Sequence, residues 1–486
     1  MAHKRTRRAA GKSAHKAYVN PLVARYASDE MIRLWSPQTR FSTYRRIWIA
    51  LADAQRGLGL PITHKQIRAM KHVVDDIDFT AVARYERQTR HDVMAHIHAF
   101  GDAAPEARGI IHLGAASMDI VDNADLMLMR DALGLLIGRL VAAVRPLAVF
   151  CEEYADLPTL GFTHLQPAQP TTVGKRACLW LQDLVSDVER LEALRAGLKC
   201  RGLRGATGTQ ASFLKLLGSA AKVRRLETSV ARKLGFDACY PVCGQTYSRK
   251  IDVEVLAGLV SFAAGGQKSC NDIRLLAMLK EIEEPFEKKQ VGSSSMPYKR
   301  NPMRCERATG LARYLISLAT SPPMTLGAQM FERTLDDSSN KRLVIPEAFL
   351  TADAIAILLG NIFDGLAVYR ETITAHVEAE LPFIATEEIL MAAVARGGDR
   401  QELHERIRRH AQKAGEQVKK RGKPNDLIDR LKGDPAFKGI RWSRLLDPRG
   451  HVGLAPQQTR DYLKQHVRPL LKRFAGRSVR PAAVNV

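Results

Sequence analysis

The segment VGSSSMPYKRNPMRCE, residues 291–306, gathers reactive side chains most densely. Three consecutive serines follow Gly292, and Lys299, Arg300 and Asn301 come before Pro302, which suits a helix start. Serine hydroxyls can act as nucleophiles or bases, and with the backbone N–H groups of such a loop they can form an anion nest. Lys299 and Arg300 would draw carboxylate or phosphate. Taken alone, this composition also describes an interhelix turn with basic flanks. The glycine-rich nucleotide patterns do not fit it: neither Gly-x-Gly-x-x-Gly nor a GKS or GKT ending is present.

Further segments carry polar chemistry. GFTHLQPAQPTTVGK at 161–175 sets His164 in a polar break beside Thr163 and Gln166, where an imidazole can exchange a proton near neutral pH. TRHDVMAHIHAF at 89–100 makes Arg90, His91 and Asp92 adjacent; on one helix they diverge and serve a common atom only across a bend. His96 and His98 are two apart and diverge in the same way, and no zinc-type H-E-x-x-H occurs. IIHLGAASMDIVDNADL at 110–126 supplies His112, Ser117 and Asp119 ahead of a long helix. In FERTLDDSSNKR at 331–342, Ser338 and Arg342 are spaced to share a helix face suited to phosphate, with Arg333 and Lys341 nearby. GATGTQASF at 205–213 and CGQTYSRK at 243–250 add hydrogen-bonding groups, among them Gln245. Each segment alone fits ordinary loop or helix surface; it is their joint presence that is informative.

Positioning them requires a large helical frame. The chain has 486 residues, 45% hydrophobic and 26% charged, enough to bury a sizeable core and too apolar for wholesale disorder. Helical periodicity predicts long helices over 119–155, 170–200, 246–284, 302–320 and 339–364, with almost no strand-like alternation. In the first region Phe41, Tyr44, Trp48 and Leu51 recur at helical spacing until Gly57, Gly59 and Pro61. The fold class is therefore all-α. The expected division is a basic, disordered tail over 1–20, an N-terminal helical domain over 21–110, a central long-helix bundle over 111–364 that includes the loop 291–302, and a C-terminal helical domain over 365–486.

No uninterrupted apolar run reaches the roughly 18 residues of a bilayer span, and 131–150 reads as a buried helix because Asp131, Arg139 and Arg145 interrupt it. The formal charge of +23 suits an anionic substrate or a polyanion. Residues 1–15 hold five Lys/Arg and no acid, a possible nucleic-acid contact. Seven scattered cysteines with only Cys239 and Cys243 close together give neither a disulfide framework nor a zinc pattern. A reducing compartment, and so a cytoplasmic location, is expected.

The motifs GSSSMPYKRNP, TLGFTHLQPAQPTTVGKR, TRHDVMAHIHAFG, GQTYSRK and FERTLDDSSN together resemble the adenylosuccinate lyase family of the fumarase/aspartase superfamily, particularly the type found in animals. The resemblance spans roughly residues 20–475. It implies a homotetramer with a 20-helix core, active sites shared by three subunits, and no metal or organic cofactor. It also implies release of fumarate from adenylosuccinate, leaving AMP, and from SAICAR, leaving AICAR.

By the same resemblance Ser293 is the base that takes the succinyl Cβ proton, Lys299 stabilises the carbanion, and Asn301 holds the succinyl group. His164 is the acid for the departing nitrogen, with Glu306 as its carboxylate partner. His91 is the second family histidine, a phosphate or substrate contact within the catalytic group and not the acid. Arg90, Asp92 and His112 line the substrate, and Gln245, Thr163 and Ser117 meet its carboxylates. Arg25 and Tyr26 contact phosphate and base; Arg333, Ser338 and Arg342 contact phosphate. One departure stands out: the family's H-x-G-x-T-S reads HLGAAS, so Ala116 lacks the expected hydroxyl. Weaker binding or a shifted preference is expected, at about 1–3 kcal/mol for one buried hydrogen bond. A related lyase acting on another N-succinyl compound is the neighbouring alternative. A basic nucleic-acid-binding or structural protein is the alternative of a different class.

Overall fold

The computed structural model describes residues 16–476; the basic segment 1–15 singled out above lies outside them. Short helices open the described chain, including a π-helical turn Leu22–Tyr26 that carries Arg25 and Tyr26. Helix α1 spans Pro37–Gly57, with Ser36 Oγ accepting from Thr39 N and proline in the first turn. Its Tyr44, Trp48 and Leu51 are buried as the spacing predicts, and Phe41 is half-buried. Helices α2 (Phe79–Thr89) and α3 (Asp92–Ala103) follow. They are separate because Arg90 takes a left-handed conformation at φ 54° and His91 is extended.

The core is built on five long helices. These are α4 (Ser117–Glu153), α5 (Val173–Gly197), α6 (Lys250–Met278), α7 (Met303–Leu318) and α8 (Asp336–Phe363). Helix α4 packs on α5 and α8, and α6 packs on α5, α7 and α8. Their boundaries sit within about four residues of the expected ones, except that α6 ends at Met278, six residues early. Along α4, Leu133, Leu136, Leu140, Val144 and Leu147 are all fully buried, the 3–4 residue repeat of an inward-facing stripe.

By length and composition α4 and α8 could each cross a membrane, yet 61% and 78% of their most apolar stretches are buried inside the fold. They are the central pair, one packed on the other.

Between α4 and α5 the chain makes an antiparallel hairpin, β1 (Pro158–Thr163) with β2 (Gln166–Thr172), where the sequence predicts only a break and the start of a helix. A second small sheet pairs β3 (Ile282–Glu283) with β4 (Ala367–Val368). The hairpin's base is tight: a Cβ on Gly174 would meet Cys151 O at 2.4 Å, so only glycine lets α5 start this close to the end of α4.

Farther on, α9 (Arg400–Arg421) packs into a separate core with Ile389, Leu403, Ile407, Leu427, Leu431 and Phe437. The last described helices return to the central bundle, burying Leu463, Val467, Leu470 and Phe474.

Candidate active site

One cleft gathers the expected phosphate contacts of α8 and the chain just before it. It lies where the first turns of α8 meet α1 and α4, lined by Arg333, Ser338 and Arg342 with Arg40, Met118 and Val121. Ser338 and Arg342 share a face of α8, as their spacing predicts. Arg342 reaches Asp92 at 2.5 Å, which ties α8 to the start of α3. The bend at Arg90–His91 turns His91 back over α4: its Nδ1 accepts from Met94 N (3.3 Å), and its Nε2 lies 3.4 Å from Ser117 Oγ. Nδ1 also lies 3.8 Å from Asp92 Oδ1, so Nε2 is the ring nitrogen that faces Ser117.

His112 sits just behind. Its Nδ1 accepts from the indole N–H of Trp48 at 2.9 Å, and burial pushes its imidazole down to about 4. Such a ring stays neutral at physiological pH and offers an Nε2–H donor, not an exchangeable acid. Gln245 and Arg333 are brought together: Gln245 Oε1 accepts from Arg333 Nη1 at 3.0 Å, while Gln245 Nε2 donates to Ala206 O at 3.0 Å.

Beneath the cleft lies a charge network with no local sequence signal. Asp122 and Asp125 on α4, Asp252 on α6, Asp337 on α8 and the cations Arg40, Arg249, Arg333 and Lys341 form linked pairs at 2.5–3.9 Å. Four carboxylates face four cations, so the network is neutral as a unit. Burial alone would raise the Asp125 carboxyl, but Arg40, Lys341 and Arg249 outweigh it and hold it below the usual range. Removing one member of a buried pair typically costs about 3–5 kcal/mol, so the network fastens the first turns of α8 to α4 and α6. Arg40, Asp125, Arg249 and Asp337 line the cleft but fall outside the expected site set, and Lys341 enters only as a neighbour of Ser338; Arg40 and Lys341 meet Asp125 across 85 and 216 residues of chain.

Two other groups of expected residues stand apart from this cleft in the single chain. His164 is at the hairpin tip, where Thr163 pairs with Gln166 and the two turn residues His164 and Leu165 have φ of 53° and 57°. That is the geometry of a two-residue primed turn, normally filled by Asn-Gly. A β-hairpin tip projects the imidazole outward, and Leu165 beside it is 73% exposed.

The loop 291–301 holds the third group. Its ends are pinned by Asn301 Nδ2 donating to Gly292 O at 2.7 Å, and Lys299 O lies where a Cβ on Gly292 would sit. Ser293 Oγ accepts from Met296 N at 3.1 Å and Ser295 N at 3.4 Å. Glu306, in the first turn of α7, lies 4.0 Å from Arg274 and makes no pair with His164 within the chain. Arg25 stacks on Tyr26 at 5.9 Å, and the turn carrying both packs on α8.

Comparison with known proteins agrees over nearly the whole length. A lyase family model matches residues 25–316, and a model of the adenylosuccinate lyase C-terminus matches 382–462. Adenylosuccinate lyase of Saccharomyces cerevisiae is 52% identical over 464 residues, covering 94% of this chain and 96% of the relative. That of Schistosoma mansoni is 45% identical with the same coverage. Among solved structures, 3-carboxy-cis,cis-muconate lactonizing enzyme from Pseudomonas putida superposes with a TM-score of 0.80 at 24% identity, covering 92% of this chain and 98% of that one. Fumarate lyase from Mesorhizobium sp. BNC1 gives 0.77 at 24% identity, covering 91% and 99%. At that identity the structural likeness establishes the fold: all-α, with a long central bundle.

Proposed function

The chain belongs to the adenylosuccinate lyase family and is a carbon–nitrogen lyase, and from that premise we propose how its residues divide the reaction. The substrates are adenylosuccinate and SAICAR, each an N-linked succinyl group on a phosphorylated purine or its precursor. Ser293 Oγ takes the Cβ proton; the electron pair moves to form the fumarate double bond as the C–N bond breaks. His164 delivers a proton to the departing nitrogen, so AMP or AICAR leaves neutral at that atom. Lys299 balances the charge that builds on the adjacent carboxylate.

The observation that carries this reading is the geometry at Ser293. A serine hydroxyl is a poor base in water, and two backbone N–H donors aimed at Oγ favour its deprotonated form. Loop closure over the substrate would exclude water and strengthen those bonds. Arg333, Ser338 and Arg342 supply donors for the phosphate, with Arg25 and Tyr26 completing the nucleotide contacts. Ser117, Thr163, Gln245 and Asn301 hold the succinyl carboxylates, with Arg90, His91, Asp92 and His112 around them.

Because one chain does not bring His164, Ser293 and the phosphate cleft together, the proposed working unit is a homotetramer in which Glu306 of one subunit meets His164 of another. Cytoplasmic location follows the same proposal. Ala116 favours a second reading in which another N-succinyl compound is the preferred substrate.

Fumarate release from adenylosuccinate and SAICAR, assayed in parallel, tests both readings. Rapid release that Ser293→Ala lowers by about 10²–10⁴-fold is expected for a lost general base. A folded protein that releases fumarate from neither would overturn the purine assignment and point to the second reading.

A further inference from the structure

Asp119 and Arg201 form an ion pair that solvent does not reach at all, both side chains being 0% exposed. The proposed chemistry uses neither residue. Asp119 Oδ1 accepts from Arg201 Nη1, from Arg204 N (2.7 Å) and from Gly205 N (3.1 Å). Its Oδ2 accepts from Ala116 N at 2.7 Å and shares Gly205 N at 3.2 Å. The other arm of the guanidinium, Nη2, donates to Gly205 O (3.3 Å) and Gly244 O (3.2 Å). The pair therefore ties together three stretches of backbone far apart in sequence: 116–119, 201–205 and 244.

Two of these stretches lead directly into a proposed substrate contact, and 201–205 leads into Ala206, which holds one of them. Ala116 precedes Ser117, and Gly244 precedes Gln245, whose side chain bridges Ala206 O and Arg333. Asn123, one turn along α4, reinforces the junction by accepting from Arg201 N (2.8 Å) and donating to Gly202 O (3.0 Å). Arg201's charge is matched by Asp119, so this arginine is not spare for a substrate anion.

We propose that the Asp119–Arg201 pair is the positioning device that sets Ser117, Gln245 and Arg333 in register for the succinyl and phosphate groups. This rests on the lyase reading above. It predicts a particular kinetic split. The device orders groups that bind substrate in ground and transition state alike, whereas the proton-transfer groups Ser293 and His164 sit on other segments. Its loss should thus raise KM and leave kcat nearly untouched.

Asp119→Asn is the informative variant because donors face both carboxylate oxygens, so an amide NH2 at either position loses its bonds without changing shape. With full-length enzyme and adenylosuccinate, KM should rise about tenfold or more and kcat should change by less than about threefold. Hydrogen exchange at amides 116, 204 and 205 should quicken. Arg201→Lys keeps the charge but loses the fork to Gly205 O and Gly244 O. It should raise KM and quicken exchange at 244–245 even if the first variant does not fold.

Asp434→Asn, which removes the carboxylate that pairs with Arg406 (3.2 Å) and His410 (3.0 Å) in the separate C-terminal core, is the control and should leave KM unchanged. The proposal is overturned if exchange at these amides is unaltered. It is equally overturned if exchange quickens while KM stays put, or if the control shifts KM as much. Failure of the wild type to release fumarate would count against the lyase reading, and the exchange data would still decide whether the pair orders these segments.

Discussion

Burial decides which histidines can take part in proton transfer. His96 stacks on Phe41 with ring centroids 3.7 Å apart, and burial, helped by Arg45, pushes it down to about 4. His112 is held equally low. Both are neutral in the fold, while in the unfolded chain they take up a proton near 6.5, so stability is full above about pH 6.5, falls as the pH drops towards 4, and levels off below. Each ring contributes at most about 3 kcal/mol to that loss. Urea midpoints at pH 7.5 and pH 5 should therefore differ less for His96→Leu than for wild type; an unchanged difference would refute the assignment. In the sequence His91, His96, His112 and His164 are four similar side chains near polar residues. Motif resemblance singled out His91, His112 and His164. That His112 is a fixed donor depends on Trp48, 64 residues away, and nothing local announces it.

At the scale of elements, the N-terminus of α4 is where sequence and structure bear most directly on substrate preference. Ala116 is its N-cap residue at φ −104° and ψ 160°, and no side-chain cap is made there; Asp119 reaches back to Ala116 N, which is half of a capping box. Threonine fits that backbone conformation. Ala116→Thr should add about 0.5–2 kcal/mol of stability by capping the helix. With a hydroxyl restored beside Ser117, KM for adenylosuccinate should also fall. Thermal melting and initial rates check the two effects separately, and a rise in Tm with no change in KM would confine position 116 to a capping role. The long helices were legible because their apolar stripes repeat over many turns. The β1–β2 hairpin was not, since TLGFTHLQPAQPTT lacks strand alternation, holds two prolines that usually argue against a strand, and turns on His-Leu where Asn-Gly is the recognisable signal.

At the scale of the whole molecule, the separation of the hairpin tip, the serine loop and the phosphate cleft makes sharing between subunits testable. His164→Ala and Ser293→Ala variants, unfolded together and co-refolded in equal amounts, should recover about a quarter of wild-type activity if each site draws these residues from different subunits of a closed assembly. If one subunit supplied both, every mixed site would lack one group and activity would stay at the level of the single variants. Helix content and boundaries could be read from one chain's sequence, but a site closed by neighbours, as proposed, would have no signature in local periodicity, and only motif resemblance points to one. The pairing of α4 with α8 bears on how the chain comes to exist at all. Each helix buries its apolar stretch against the other, yet α8 begins about 180 residues after α4 ends. At typical synthesis rates the ribosome needs roughly 10–40 s to bridge that gap. Throughout that time α4 has emerged with α5 at hand but without α8, oily enough to pass for a membrane segment. During synthesis the newborn chain thus leaves open to clumping or chaperone capture a face of α4 that the finished fold covers with α8.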